Sequence, residues 1–456
     1  MPETKEYPLQ NVDEPNLFRD MFPYTELPKV HFEDETVPLS PAEKIWITDT
    51  TFRDGQQARP PYTVDQIVDI YKLMAKLDNG SGIIRNSEFF LYSPKDRKAV
   101  EKCLEVGADF PEVTSWIRAV KSDFSLVKDM QLPETGILTS CSDYHIFLKL
   151  HKDRRQALNQ YLDVVRAALE ENIRPRCHFE DLTRADFYGF VVPFAIELMK
   201  LREESGIDIK IRLCDTMGYG VPWANAALPR SVPKLVYGLI HDAGVPGHLL
   251  EWHGHNDFHK VLINPATAWL YGCASCNASL LGIGERTGNS PVEAMVIEAG
   301  QLREAAPSGD GDKQPNYPVI TEIANYFRDV IGQDIPTNYP IIGRDFNTTR
   351  AGIHADGLLK SEEIYSAFDT NKILGRPIGV AITDKSGAAG IKHWLETHYD
   401  IDVAKDDPRL LAIRDRVEQE YDKGRTTAIS DQEMHLWYGE AFDVVTYSKP
   451  PEERDV

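Results

Sequence analysis

"IWITDTTFRDG", residues 45–55, is an apolar run that reads as a β-strand and stops abruptly at a cation, a carboxylate and a glycine: Arg53, Asp54 and Gly55. Similar short runs recur at "GIIRNSEFF" (82–90), "FPEVTSW" (110–116), "TGILTSC" (135–141), "RPRCHFE" (174–180), "DIKIRLCD" (208–215), "HLLEWHGH" (248–255) and "CASCNASL" (273–280). Between them lie stretches with apolar residues three and four apart, such as "VDQIVDIYKLMAKL" (64–77) and "ALNQYLDVVRAALEEN" (157–172), the spacing of amphipathic helices. Strands alternating with helices imply βα units and a parallel sheet. Eight such strands in about 240 residues predict an α/β fold, a (β/α)8 TIM barrel. A doubly wound open sheet is the other arrangement, but no strand here is followed by a Gly-rich dinucleotide fingerprint.

Working outward, residues 1–40 are rich in proline and charge without helical or strand period. They read as an extended arm packed on a surface, that of a partner subunit included. The catalytic barrel is expected over 41–305, a polar Gly/Pro-bearing linker over 306–318, and a helical C-terminal subdomain over 319–456, opening with "VITEIANYFRDVIG". The net charge of −21 excludes nucleic-acid backbone binding as a main task, because an acidic surface repels polyanions. With 42% hydrophobic and 27% charged residues and no membrane-length apolar run, the composition is that of a soluble globular protein, not a membrane one. The first residues, "MPETKEYPLQ", lack a signal pattern, so the expected location is cytoplasmic. Six scattered cysteines do not make a disulfide framework. The pair Cys273 and Cys276 reads as small packing residues on a strand, with no second CxxC to complete a zinc site.

In a TIM barrel the active site lies where the strands end. Here those ends carry Arg53-Asp54, Glu88, Glu180-Asp181, Asp215-Thr216 and the run "HGHND", 253–257. In a strand, residues i and i+2 share a face, so His253 and His255 converge. An isolated HxH is more often a pair of hydrogen-bonded structural histidines. With Asp54 as a carboxylate and Asn289 as a neutral oxygen, however, the set suits a divalent ion that keeps positions open for substrate. Mn2+ fits best, with Co2+, Mg2+ or Zn2+ as others the donors accept.

The motifs "DTTFRDGQQ", "EDLTRAD", "CDTMGYG", "HGHNDF", "GIGERTGN" and "GIHADGLLK" occur in the order and at roughly the spacings of the metal-dependent acyl-CoA Claisen-condensing barrels. That family contains isopropylmalate, homocitrate and citramalate synthases and the Re-type citrate synthases, and the resemblance spans roughly residues 44–400. It implies a divalent metal, a 2-oxo acid acceptor, acetyl-CoA as carbon donor, and a homodimer with composite active sites. By the same resemblance Asp54, His253, His255 and Asn289 match the metal ligands, and Arg53 the arginine that stabilises the 2-oxo oxygen. Thr216 matches a threonine that binds the substrate carboxylate, Glu180 an active-site acid, His354 the histidine that enolises the acetyl group, and Tyr365 its supporting tyrosine.

A biotin-dependent carboxytransferase begins with a similar motif but needs a carbamylated lysine on a middle strand, where this chain has Cys214-Asp215. A hydroxyacyl-CoA lyase would not need "GIHADG", and a non-catalytic metal-binding barrel would not need the charged partners. Within the condensing family, Phe52 in place of leucine, Gln56-Gln57 and the long arm resemble the Re-type citrate synthases. So does the short stretch after the catalytic subdomain, which leaves no room for a leucine-sensing domain. The expected acceptor is therefore oxaloacetate, with 2-oxoglutarate, the homocitrate synthase substrate, next. A second carboxylate on the acceptor calls for a further cation, and Arg118 and Arg85 are the candidates, each equally readable as a surface ion pair.

Overall fold

The computed structural model describes residues 6–304, 309 and 313–443; much of the expected linker and the acidic end "PEERDV" lie outside that range. Strands β1 (Trp46–Asp49), β2 (Ile84–Phe89), β3 (Glu112–Ile117), β4 (Glu134–Ser140), β5 (Arg174–Glu180), β6 (Lys210–Asp215), β7 (Leu250–Gly254) and β8 (Ser275–Ser279) pair in sequence order, all parallel. Strand β1 also pairs with β8, Trp46 opposite Ser275 and Asp49 opposite Ala278, which closes the barrel. A two-residue strand β9, Ser290–Pro291, adds to the upper end of β8. The surrounding helices are α1 (Val64–Asp78), α2 (Pro94–Glu105), α3 (Phe124–Asp129), α4 (Arg154–Glu170), α5 (Val192–Ser205), α6 (Val232–His241), α7 (Ile263–Leu270) and α8 (Val292–Leu302).

Local sequence explains several helix starts. Thr63 and Gln66 form a reciprocal capping box at α1, as do Ser93 and Asp96 at α2, where Pro94 occupies the first turn, and Asp153 and Gln156 at α4. Each box satisfies two backbone donors that the first turn cannot pair internally. Asn79 ends α1 in the left-handed region, a conformation asparagine tolerates better than most residues.

The strands carry two faces of opposite character. Cys177 and Phe179 of β5, Ile211 and Leu213 of β6, and Leu250 and Trp252 of β7 join one apolar cluster with Leu158, Tyr161, Phe194 and Leu198 of α4 and α5. The alternate positions face the lumen and include a set of charged residues. Glu88 of β2 pairs with Arg212 of β6 at 3.1 Å, and because β2 and β6 are not neighbours this contact crosses the interior. Arg176 of β5 pairs with Glu134, Lys210 reaches Glu134 at 2.8 Å, and Arg212 pairs with Glu251 of β7. Barrel interiors are usually filled by branched apolar residues, whereas this one is held by buried ion pairs. Removing one partner of such a pair leaves a charge without compensation.

The N-terminal segment runs over the loops that follow β4, β5 and β6. The Asn16 amide donates to Asp143 at 2.7 Å, Gln10 to the Gly189 carbonyl at 2.9 Å and Glu33 to the Asn225 carbonyl at 2.8 Å. Its described contacts are with its own barrel.

By contacts the chain divides into residues 1–316 and 317–456. The second unit contains α9 (Val319–Asp329), α10 (Gly352–Lys360), α11 (Thr370–Leu374), α12 (Gly387–Tyr399), α13 (Pro408–Asp422) and α14 (Asp431–Ala441). Its core includes Ala355, Leu358, Ile391, Trp394, Leu410, Ile413 and Trp437. A short parallel pair, β10 (Thr348–Thr349) and β11 (Gly379–Val380), and an antiparallel bridge between Ile382 and Ile429 interrupt the helices of this unit.

Candidate active site

At the C-terminal end of the barrel, ligand atoms of Asp54, His253 and His255 lie within 4.8 Å of one another, all three residues buried. Strand periodicity turns both imidazoles to the same side, with their Nε2 atoms 3.2 Å apart. The Asn277 amide donates to the Thr48 carbonyl at 3.3 Å, so its oxygen is the acceptor for His253 Nδ1–H at 2.7 Å. That bond puts the His253 proton on Nδ1 and leaves the Nε2 lone pair for a ligand. Burial lowers the pKa of both histidines, that of His253 to well below the usual value, so both are neutral near pH 7. Burial pushes the Asp54 carboxyl up, but Arg53, the imidazoles and the Asn289 amide outweigh it and bring it to about 2. Asn289 donates to Asp54 at 2.6 Å, and its own oxygen is buried with no partner among the described residues. Two neutral imidazoles aimed at one point, an ionised carboxylate and an orphaned amide oxygen fit a divalent cation.

The loop "GIGERTGN" shapes this arrangement. A Cβ at Gly288, whose φ is +90°, would lie 2.1 Å from the Gly282 carbonyl oxygen, and one at Gly284 would fall 2.5 Å from the Asn289 amide nitrogen. Only glycine lets the loop fold back closely enough to present Asn289.

Arg53 and Asp54, adjacent in sequence, do form an ion pair, at 2.9 Å, and Arg53 Nε binds Glu88 at 2.8 Å. The Arg53 guanidinium also lies 5.9 Å from the Trp116 ring. Glu88 is fully buried; burial raises its pKa, but Arg212 first and then Arg53 more than reverse this, and it is held well below the usual range.

Across the mouth, Glu180 accepts hydrogen bonds from Ser140 and from His145 Nδ1, the latter at 3.0 Å, with Lys149 at 3.5 Å. Burial raises the Glu180 carboxyl, yet these partners bring it to about 2, so it is an anion at neutral pH and accepts protons or hydrogen bonds instead of donating them. Its depressed pKa stabilises the fold above the unfolded carboxyl value of about 4.3. That contribution fades as pH falls toward about 2. Glu180→Gln is therefore expected to unfold in less urea than the parent at pH 7, with the gap in midpoint shrinking as the pH drops from 5 to 3. A gap independent of pH would show that the carboxylate's charge is not what stabilises this corner.

Thr216 Oγ1 accepts the Asp181 N–H at 2.8 Å and donates a long hydrogen bond, 3.5 Å, to the Cys214 carbonyl. Asp215 is turned away into bonds with Thr183 and the Gly220 amide, and burial pushes its carboxyl up to about 6.

The two cations expected to meet a second substrate carboxylate are not brought to this cluster. Arg85 sits at the opposite end of β2 from Glu88, its guanidinium 4.6 Å from the Trp46 ring and 5.6 Å from Phe110. Arg118 follows β3 but is 63% exposed and committed to Asp123 at 2.9 and 3.0 Å. Cys273 and Cys276 are buried free thiols whose pKa burial raises, in keeping with a packing role.

In the second unit, His354 is exposed on α10 and its ring lies 4.2 Å from that of Tyr365. A Cβ at Gly357 would be 2.4 Å from the Tyr365 ring, so the glycine of "GIHADG" is what allows the tyrosine to pack on the helix beside the histidine. His145, Asn277, Arg212 and Glu251 were not singled out from the sequence. His145 rides on a single π-helical turn, Tyr144–Lys149, after β4, and the other three lie on strand faces that show their inward orientation only once the barrel closes.

Residues 44–318 match the HMGL-like family. The chain is 59% identical to the citrate (Re)-synthase of Syntrophus aciditrophicus (strain SB), over 94% of this chain and 68% of that protein. It is 54% identical to the citrate (Re)-synthase of Clostridium kluyveri, over 94% of this chain and 95% of the other. It is also 36% identical to the 2-phosphinomethylmalate synthase of Streptomyces hygroscopicus, over 95% and 98% of the two chains.

Proposed function

The chain belongs to the HMGL-like family, and from that premise we propose that it joins acetyl-CoA to oxaloacetate in a Claisen condensation, releasing citrate and CoA. It is a transferase. The observation that carries this reading is the convergence of His253, His255 and Asp54 beside the Arg53 guanidinium at the barrel mouth, in a chain 54–59% identical to two citrate (Re)-synthases.

Asp54, His253, His255 and Asn289 would hold the divalent ion, of which Mn2+ is the proposed occupant and Co2+, Mg2+ or Zn2+ the substitutes. When bound, it supplies a Lewis acid toward the 2-oxo group. Arg53 gives a fixed donor where the 2-oxo oxygen gains negative charge as the new carbon–carbon bond forms. The Thr216 hydroxyl, whose donated bond to the Cys214 carbonyl is long at 3.5 Å, turns to a substrate carboxylate, and ionised Glu180 orients water or the substrate from the opposite wall. His354, with Tyr365 against its ring, takes the proton from the acetyl methyl group. Water then cleaves the thioester of the citryl intermediate, and CoA leaves as its thiol. No cysteine nucleophile is needed, in agreement with the burial of all six.

A homodimer with composite sites belongs to the same proposal. Ile353 and Ile364, flanking the His354 and Tyr365 pair, are 73% and 52% exposed, an apolar surface that a second subunit would cover. The proposed location is the cytoplasm, where unpaired cysteines persist.

Thiol release from acetyl-CoA with Mn2+ present, offering oxaloacetate, 2-oxoglutarate, pyruvate and 2-oxoisovalerate separately, tests the reading. Oxaloacetate is expected to give the highest kcat/KM of the four. Preference for any other acid overturns the substrate assignment.

A further inference from the structure

Arg53 is the fixed donor of the proposed reaction, and what fixes it lies below it in the barrel. Its Nε is bound by Glu88 at 2.8 Å. The same Glu88 oxygen also receives Thr50 Oγ1 and Arg212 NH1, each at 3.1 Å. Arg212 is in turn clamped through Nε by Glu251, whose other oxygen takes the Thr48 hydroxyl at 2.5 Å and that of Ser275 at 3.2 Å. Five strands, β1, β2, β6, β7 and β8, thus contribute to one line of contacts from mid-barrel to mouth. There is no slack beside it: a Cβ at Gly136 would lie 3.0 Å from the second Glu88 oxygen and 2.6 Å from His178 Nε2.

We propose that Arg212, clamped by Glu251, is a positioning residue of the condensation: it acts through Glu88 to hold the Arg53 guanidinium at the height of the 2-oxo oxygen. Arg53 is pulled two ways, toward Asp54 at 2.9 Å and toward Glu88 at 2.8 Å. The other Glu88 oxygen meets Arg176 at 3.5 Å and His178 at 3.6 Å, whereas the oxygen that binds Arg53 is the one Arg212 holds, at 3.1 Å. Without the Arg212 charge, Glu88 keeps Arg53 as its nearest cation, and the pair settles deeper. Arg53 is then present but misplaced, and a displacement of about 1 Å at a transition-state donor costs on the order of 100-fold in rate. The inference rests on the condensation reading, but its test is separable from it.

The test is a double-mutant cycle between Arg212→Gln and Arg53→Lys, with oxaloacetate, acetyl-CoA and Mn2+. Arg212→Gln is expected to lower kcat by about 100-fold with the KM for acetyl-CoA unchanged, and Arg212→Lys to recover part of the loss. In the Arg53→Lys background Arg212→Gln is expected to change kcat by less than about 2-fold, because its effect passes through Arg53. Full multiplicative losses in the double variant, or a parallel rise in the KM for acetyl-CoA, would make Arg212 a general structural residue and overturn the proposal. If Arg212→Gln does not fold, Arg212→Gln/Glu251→Gln removes one charge of each sign and carries the same expectations in both backgrounds. Wild-type protein inactive with oxaloacetate would instead refute the proposed reaction.

Discussion

Protein stripped with EDTA releases no thiol from acetyl-CoA above background, and added Mn2+ restores the rate; that is the expected result for the site of Asp54, His253, His255 and Asn289. Activity also reports every other defect, so stability in the absence of substrates is the cleaner measurement. A ligand that binds only the folded state stabilises it by about 2.7 kcal/mol at one hundred times its dissociation constant. For a barrel of this size that raises Tm by several degrees, at roughly 2–4 °C per kcal/mol. Wild-type protein should show that rise with Mn2+ alone. His253→Ala should abolish it and reduce condensation by more than about 1000-fold, since a metal-assisted site loses several kcal/mol of charge stabilisation. The substitution also leaves the buried Asn277 oxygen without its donor, which costs about 1–3 kcal/mol. The variant's metal-free Tm should therefore fall by several degrees, and the Mn2+-dependent rise is read against each protein's own metal-free value. Condensation that survives thorough chelation, or a Tm rise that persists in His253→Ala, would remove the metal from this site.

His354→Ala is expected to leave the Mn2+-dependent Tm rise and oxaloacetate binding intact while lowering kcat by about 100- to 10,000-fold, the range for loss of a general base. The side chain is exposed on α10, and its described contact is with the Tyr365 ring, so little stability depends on it. Tyr365→Phe keeps the ring contact and should be far milder. Loss of metal binding in His354→Ala would move the residue from proton transfer to the metal site, and near-normal turnover would exclude it from the reaction.

How far the sequence could be read depended on the range of the interaction involved. The eight strands were legible because each is a short run, wholly apolar or alternating polar and apolar, between helical stretches, and β1 pairs with β8 to close that order. The convergence of His253 and His255 was legible because it needs only the two-residue period of a strand. The fates of Arg85 and Arg118 were not, because they depend on position along a strand and on a nearby competitor. Arg85 is at the wrong end of β2, and Arg118 is paired with Asp123, five residues on. The lumen was the least legible. "RPRCHFE", "KIRLCD" and "LEWHG" alternate polar and apolar residues, a pattern that ordinarily marks a strand with one face in water. Here the polar face looks into a sealed barrel. Its decisive pair, Glu88 and Arg212, is separated by 124 residues, so no local pattern announces it.

The shared ownership of those buried charges bears on how such a barrel can change. Glu88 serves Arg53, Arg212 and Thr50 together, Glu134 serves Arg176 and Lys210, and Glu251 serves Arg212, Thr48 and Ser275. A substitution at any one of them strands its partners, so the effect of each depends on which residues already occupy the others. Epistasis of this kind makes most single-step routes to a different acceptor acid pass through a damaged protein. Descendants with a new preference would have to exchange oppositely charged residues in pairs, or alter the rim around Thr216 and Glu180, where the chain can vary without disturbing the ladder beneath.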